Sequence, residues 1–255
     1  MLGKNRIKTI RSLEHKKYRQ RENLFVAEGS KLVSSLLASG MEVEVLTGIP
    51  ESLDLLGSLC DAANLVVEAE PGELAKATFL KSPPTCIALC RLPRVSLSAI
   101  SLERELILCL DGIQDPGNLG TIVRLAAWFG IHDLVCSEES ADLYSPKAVQ
   151  ATMGALANVR VHYTPLEEFF GNAREKQVPV MGTFLAGENI YRADLTPAGI
   201  LVVGSEGQGI RQELLPWFSQ KLTIPDFAGE GMKPESLNVS VATAIVLSEF
   251  RRRKA

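Results

Sequence analysis

Histidine is scarce in this 255-residue chain, with three residues in all, and its five cysteines show no paired spacing. Cys60, Cys86, Cys90, Cys109 and Cys136 are odd in number, contain no CxxC pair and do not cluster with His15, His132 or His162. Neither a disulfide framework nor a zinc or other metal site is therefore expected. Cys86 and Cys90 fall on one face of an apolar, strand-like run and read as buried, reduced thiols. No apolar stretch approaches the length of a membrane-spanning helix, and the basic N-terminal segment lacks the apolar core of a signal peptide. These absences lead to the expectation of a cytoplasmic protein. Repeats and low-complexity tracts are missing too.

What remains is ordinary globular material. Hydrophobic residues make up 46% and charged residues 22% of the chain, enough apolar content for a sizeable core. The length admits one large or two modest domains, and two are expected. The net charge is −3, but it is unevenly spread. Residues 1 to 22 hold Lys4, Arg6, Lys8, Arg11, Lys16, Lys17, Arg19 and Arg21 against Glu14 and Glu22, and the chain ends in Arg251, Arg252, Arg253 and Lys254. Basic ends on an acidic body suit a polyanion, while solvated basic termini explain the charge pattern equally well.

Ile7, Ile10 and Leu13 recur at three-residue spacing among basic side chains, the pattern of an amphipathic helix with a cationic face. Leu32, Val33, Leu36 and Leu37 mark a second helix closed by Gly40. Short apolar runs at Val43 to Leu46, Leu65 to Val67 and Cys86 to Leu89 alternate with helix-like Glu51 to Ala63 and Gly72 to Thr78, so residues 1–95 read as a small α/β domain. Residues 93 to 103 have no period and read as a linker. From 104 to 255, strands are expected at Glu105 to Leu110, Asp133 to Cys136, Val159 to Tyr163, Val178 to Leu185, Gly199 to Val203 and Lys221 to Ile224, with helices between. Near-continuous apolar strands alternating with helices imply a parallel sheet covered on both faces.

Ligands of such sheets bind beyond the carboxyl ends of the strands. Three loops qualify. The first, Asp115-Pro116-Gly117-Asn118-Leu119-Gly120, leads into a helix bearing Arg124; a helix starting near Asn118 or Leu119 would let Arg124 reach back toward the loop. A Pro-Gly turn with a capping asparagine and a surface arginine is the plainer account. The second, Gly204-Ser205-Glu206-Gly207-Gln208-Gly209, has glycines spaced GxxGxG rather than GxGxxG and no acidic ribose partner downstream, which disfavours a nicotinamide cofactor. Its Glu206 either points into the crevice or is simply exposed. The third follows Ile224-Pro225 and ends in Ser236-Leu237-Asn238-Val239-Ser240-Val241-Ala242. Ser236 suits a helix N-cap, and Asn238 is left needing partners.

Taken together and in this order, DPGNLGTIVR, LVVGSEGQGI and IP...SLNVSVA resemble the three motifs of the SpoU/TrmH branch of the SPOUT methyltransferases, over about Leu106 to Arg252. The stretch KKYRQRENLFVAEG (Lys16 to Gly29) resembles the opening of the small substrate-binding domain found in many rRNA-modifying members. The sequence departs from the family at Asp226, where methionine is usual, and at Gln150 and Thr152 in PKAVQATMGAL, where arginine and serine are common; the loop Phe227 to Glu235 is long and charged.

The resemblance implies an α/β fold of two domains, the second a parallel sheet with a trefoil knot, and a homodimer with the active site shared across its interface. It implies transfer of a methyl group from S-adenosyl-L-methionine to an RNA ribose 2′-hydroxyl, with 23S rRNA favoured over tRNA. Matched position by position, it assigns Arg124, Asn118, Glu206, Ser236 and Asn238 to catalysis and Gly204, Ile224 and Leu237 to the cofactor, with no metal. Arg124 would act on the hydroxyl either as base or by stabilising the developing alkoxide. A non-catalytic RNA-binding or ribosome-assembly protein is the alternative, distinguished by whether the cofactor binds.

Overall fold

The alternation of short apolar runs with helical periods produces two compact units, residues 2–94 with 142–158 and residues 95–141 with 159–252. The computed structural model describes residues 2–228 and 235–252; Arg253, Lys254 and most of the charged stretch Phe227 to Glu235 lie outside the described residues.

In the first unit, Ile10 and Leu13 anchor α1 (Lys4–Ser12) in a core shared with Leu2, Leu24, Val26, Leu74, Ile87 and Leu89. The basic segment is thus folded structure rather than a solvated tail. It continues in α2 (Lys16–Glu22), β1 (Leu24–Glu28), α3 (Ser30–Ala38) and β2 (Val43–Gly48). Then come α4 (Pro50–Leu56), a 3-10 turn over Gly57–Ala62, β3 (Val66–Glu68), α5 (Pro71–Ala77) and β4 (Cys86–Arg91). The helix expected over Glu51 to Ala63 breaks at Gly57, whose φ of 53° an α-helix does not admit. The four strands form a mixed sheet in the order β1-β4-β2-β3, with β4 antiparallel to both its neighbours.

The second unit is built on β5 (Leu106–Asp111), buried throughout, followed by α6 (Pro116–Trp128) and β6 (Asp133–Cys136). Ile100 and Leu102, within the stretch read as linker, are buried in this unit's core beside Ile107 and Cys109. The chain then returns to the first unit, where α7 (Pro146–Thr152) packs on β1. There Thr152 is fully buried, its hydroxyl donating to the Val149 carbonyl, and Tyr144 meets the ring of Phe25 at 5.1 Å between centroids. A buried Arg19 closes this arrangement by donating to the Leu13 and Glu14 carbonyls and to Asp142 Oδ2 at 2.6 Å.

Back in the second unit, β7 (Arg160–Tyr163), α8 (Leu166–Glu175), β8 (Val180–Asn189), β9 (Gly199–Gly204), a 3-10 turn over Gln212–Trp217, β10 (Gln220–Thr223) and α9 (Val239–Arg252) complete the fold. Six strands run parallel in the order β10-β8-β9-β5-β6-β7. The chain leaves β5 in one direction and β8 to β10 occupy the other side, so the order reverses between β5 and β9. That reversal opens a crevice at the strands' carboxyl ends. At the opposite end, buried His162 hydrogen-bonds with Asp133, which also forms an ion pair with Arg160. Burial works against the charge of Asp133, but the hydrogen bonds from Arg160 and His162 hold its carboxyl below the usual range.

Candidate active site at the strand reversal

Two adjacent strands, β5 and β9, deliver the first two motifs side by side. They pair in register from Leu106 with Gly199 to Asp111 with Gly204. Beyond Asp111 the chain is held by two serines, with Gly112 N donating to Ser137 Oγ at 3.0 Å and Ile113 N to Ser140 Oγ at 3.3 Å. Helix α6 then starts earlier than expected. Pro116 is its first residue and Asp115, not Asn118, is the cap, its carboxylate accepting from Asn118 N at 2.9 Å. The Asn118 side chain is thereby released from capping and reaches across the crevice.

The second loop folds back on itself through paired backbone bonds, Ser205 N to the Gly209 carbonyl and Gly209 N to the Ser205 carbonyl, at 3.1 and 2.9 Å. This closure leaves no room at Gly204, where a Cβ would lie 2.2 Å from the Gly209 carbonyl carbon and 2.3 Å from Ile210 N. Any other residue would force the loop apart. Glu206 sits at its tip.

The third motif arrives at the same place through the N-terminus of α9. Ser236 is the residue expected to cap this helix; Asn238 does so instead. Asn238 Oδ1 accepts from Ser240 N, Ser240 Oγ and Val241 N at 3.1, 2.5 and 3.3 Å. Since that oxygen faces helix N–H groups, its amide nitrogen points outward, donating to Glu206 Oε1 at 2.5 Å and Asn118 Oδ1 at 3.2 Å. Glu206 Oε1 also accepts from Asn118 Nδ2 at 3.2 Å and Val239 N at 3.1 Å. One carboxylate oxygen thus joins three loops at the positive end of a 14-residue helix.

Asn118, Glu206 and Asn238 are therefore brought together, and Asn238's unexplained polarity is accounted for. Two other candidates stand outside the network. Arg124 is exposed on α6, about two turns in, and joins no hydrogen bond or ion pair among the described residues. Ser236 is exposed and likewise joins no hydrogen bond among them. Of the cofactor candidates, Gly204 is buried at the end of β9, Ile224 is half-buried just past β10, and Leu237 is 46% exposed ahead of α9. All three lie at strand carboxyl ends or the adjoining helix start. Backbone groups of a tight glycine loop and partly uncovered apolar side chains at the same end of the sheet are the kinds of group that suit a nucleoside-containing ligand.

Sequence reasoning passes over Asp111 and Arg211. Arg211 N and Nε each donate to the Asp111 carboxylate at 2.8 Å. The available signal is an aspartate ending a wholly apolar strand. The cysteines take no part in the site; Cys86, Cys90, Cys109 and Cys136 are buried free thiols, and burial pushes Cys90 up to about 12.

Comparison with known proteins places this geometry in context. The SpoU rRNA Methylase family matches residues 105–248, and the MRM3-like substrate binding domain matches residues 4–88. The chain is 30% identical to the 23S rRNA (guanosine(2553)-2′-O)-methyltransferase RlmP of Bacillus subtilis, over 96% of each chain. Among solved structures, a TrmH-family protein from Porphyromonas gingivalis is 41% identical over 99% of each chain, with a TM-score of 0.88. An AdoMet-bound rRNA methyltransferase from Sinorhizobium meliloti is 29% identical over 100% of this chain and 97% of the other, with a TM-score of 0.89.

Asn238→Ala is expected to destabilise the protein by about 1–2 kcal/mol, through loss of the α9 cap, in urea unfolding. Asn238→Ser, which keeps a capping oxygen, should recover most of that loss. Equal stability of all three proteins would remove Asn238 from the capping role.

Proposed function

The chain belongs to the SpoU rRNA methylase family, and from that premise we propose that it methylates a ribose 2′-hydroxyl of 23S rRNA, with S-adenosylmethionine as methyl donor. The observation that carries this reading is the junction of Asn118, Glu206 and Asn238 at the strand reversal, formed by the three motifs on which the resemblance rests.

S-adenosylmethionine supplies a methyl group already activated on a sulfonium, so the protein's task is to hold and deprotonate a poor nucleophile. In our reading Gly204, Ile224 and Leu237 hold the cofactor, through backbone groups and apolar surface. Glu206 and the two asparagines fix the loops around the reacting ribose, with Ser236 at their rim. The ribose hydroxyl would pass its proton to solvent water as its oxygen replaces the thioether sulfur on the methyl carbon, and where proton loss runs ahead of bond formation negative charge would develop on that oxygen. A guanidinium stays protonated in proteins, so Arg124 serves better as a charged donor to that oxygen than as the base. That its side chain has no partner among the described residues supports this role.

The exposed basic residues of α1 and α2 give the first unit its proposed part, contact with RNA phosphates. Because Leu2, Ile10 and Leu13 are core residues, that role is tested by removing charge rather than chain. The helices α6 and α9 pack on each other and leave Trp128 84% and Val241 50% exposed. A tryptophan so uncovered supports a homodimer through this face. The return of the chain after β10 to pack α9 on β9 and α6 supports the family's trefoil knot. No helix among the described residues is long and apolar enough to cross a membrane, and an rRNA substrate suits a cytoplasmic site.

With methyl-labelled S-adenosylmethionine and separate pools of unmodified rRNA and tRNA, label is expected on a ribose 2′-oxygen of 23S rRNA, mapped by nuclease digestion and mass spectrometry. Label in tRNA alone would overturn the substrate, and cofactor binding without transfer to either would favour an assembly protein. Arg124→Ala should lower turnover by on the order of 10²- to 10³-fold with cofactor affinity unchanged; near-wild-type turnover would exclude Arg124 from the chemistry.

Replacing Lys4, Arg6 and Lys8 with glutamine should weaken RNA binding and flatten its salt dependence, by about 0.7 to 0.9 in log–log slope for each phosphate no longer neutralised. An unaltered slope would mean that α1 faces solvent only. In sedimentation equilibrium the wild type should be a dimer and Trp128→Glu a monomer; a monomeric wild type would discard the interface.

A further inference from the structure

Glu206 reaches Asn118 and Asn238 from a loop whose two ends both lead to a single buried residue. Asp111 ends β5 with a side chain of zero exposure. It is the register partner of Gly204, where the loop departs. Its two carboxylate oxygens accept from Arg211, where the loop returns: Oδ2 from the backbone N–H and Oδ1 from Nε, both at 2.8 Å. Asp111 also precedes Gly112 and Ile113, whose N–H groups are tied to Ser137 and Ser140 on the way to Asn118. Arg211 Nη1 lies 3.6 Å from Glu139 Oε1, which draws the segment after β6 into the same cluster. Asp111 therefore stands where the path to Asn118 and the path to Glu206 diverge.

A buried carboxylate is costly, and a pair needed only for stability is replaceable by apolar residues of similar size. The bidentate grip on one residue's backbone and side chain offers something such a replacement lacks, a fixed position for the chain immediately after Ile210. We propose that Asp111 is a positioning residue for methyl transfer: by gripping Arg211 it sets the loop 205–210 so that Glu206 meets Asn118 and Asn238. The inference rests on the methyltransferase reading for its kinetic consequence, but not for its structural one.

Two variants and three readouts test it. Asp111→Asn turns one carboxylate oxygen into a donor facing an N–H group, whereas Asp111→Leu with Arg211→Met removes both charges and keeps the volume. Thermal unfolding should show Asp111→Asn destabilised and the double variant restored toward wild type. Turnover on RNA should fall in both, by on the order of 10²-fold for a displacement near 1 Å, with KM for RNA little changed. In protein labelled with ¹⁵N-asparagine, the side-chain amide signals of Asn118 and Asn238, assigned from the Asn118→Ala and Asn238→Ala spectra, should move in both variants. Recovery of turnover together with thermal stability in the double variant would reduce Asp111 to a structural partner. Asparagine signals at their wild-type positions would overturn the proposal outright. Should the wild type transfer no methyl group to any RNA, the functional reading fails, and the amide signals still decide whether Asp111 positions the loop.

Discussion

Glu206 Oε1 is the point on which the second unit's loops converge, since it accepts from Asn118 and from the adjacent Asn238 and Val239, tying two distant segments to its own. Hydrogen bonds to a charged group contribute about 1.5–3 kcal/mol each, and the helix N-terminus adds about 0.3–1 kcal/mol at an exposed site. Those sums cannot also order the chain between distant segments, at about 1–2 kcal/mol per residue fixed. Glu206 lies 88 residues from Asn118 and 32 from Asn238, so the loop-closure entropy has to be met elsewhere. It is met by the sheet, where wholly buried β5 and β9 pair over six residues. The carboxylate selects among arrangements that the apolar strands have already brought within reach.

Steric demand then narrows the choice. With Gly204 against the backbone of Gly209 and Ile210, the second loop closes in one way. Asp115 takes the capping duty on α6 and Asn238 takes it on α9, which leaves the Asn118 side chain and the Asn238 amide nitrogen directed into the crevice. The division of labour is economical: Asn238 secures a helix with its oxygen and the site with its nitrogen. A serine or aspartate would cap α9 as well, but neither has an N–H with which to reach Glu206.

The parallel sheet was legible because its strands are apolar runs with little else to be, and the expected strands from Glu105 to Ile224 all appear within a few residues of their predicted limits. The first unit was harder. In α2 the only buried residue is an arginine, so hydrophobic periodicity has nothing to report, and the five residues of β1 are too few to stand out. Nor does local pattern reveal that α7, lying between β6 and β7, packs with the first unit, because that depends on Asp142 meeting Arg19 across 123 residues. At the site, the three loop motifs and their resemblance picked out Asn118, Glu206 and Asn238, but the caps expected at Asn118 and Ser236 fall to Asp115 and Asn238. Ser236 and Asn238 are both good capping residues two positions apart, and only the helix start at Val239 decides between them.

Charge pairing explains why Arg124 stays apart from the network around it. Arg19, Arg91, Arg160 and Arg211 each meet a carboxylate, and those cations hold the fold together. Helix α6, PGNLGTIVRLAAW, contains no acidic residue, so Arg124 has no partner at the i±3 or i±4 positions where helical ion pairs form. Thr121 and Trp128, its neighbours on the same exposed face, supply none either. With no carboxylate partner among the described residues, Arg124 keeps its donors uncommitted there and contributes little to stability. The role proposed for Arg124 would draw on those donors only when negative charge appears beside it, as on a ribose oxygen losing its proton.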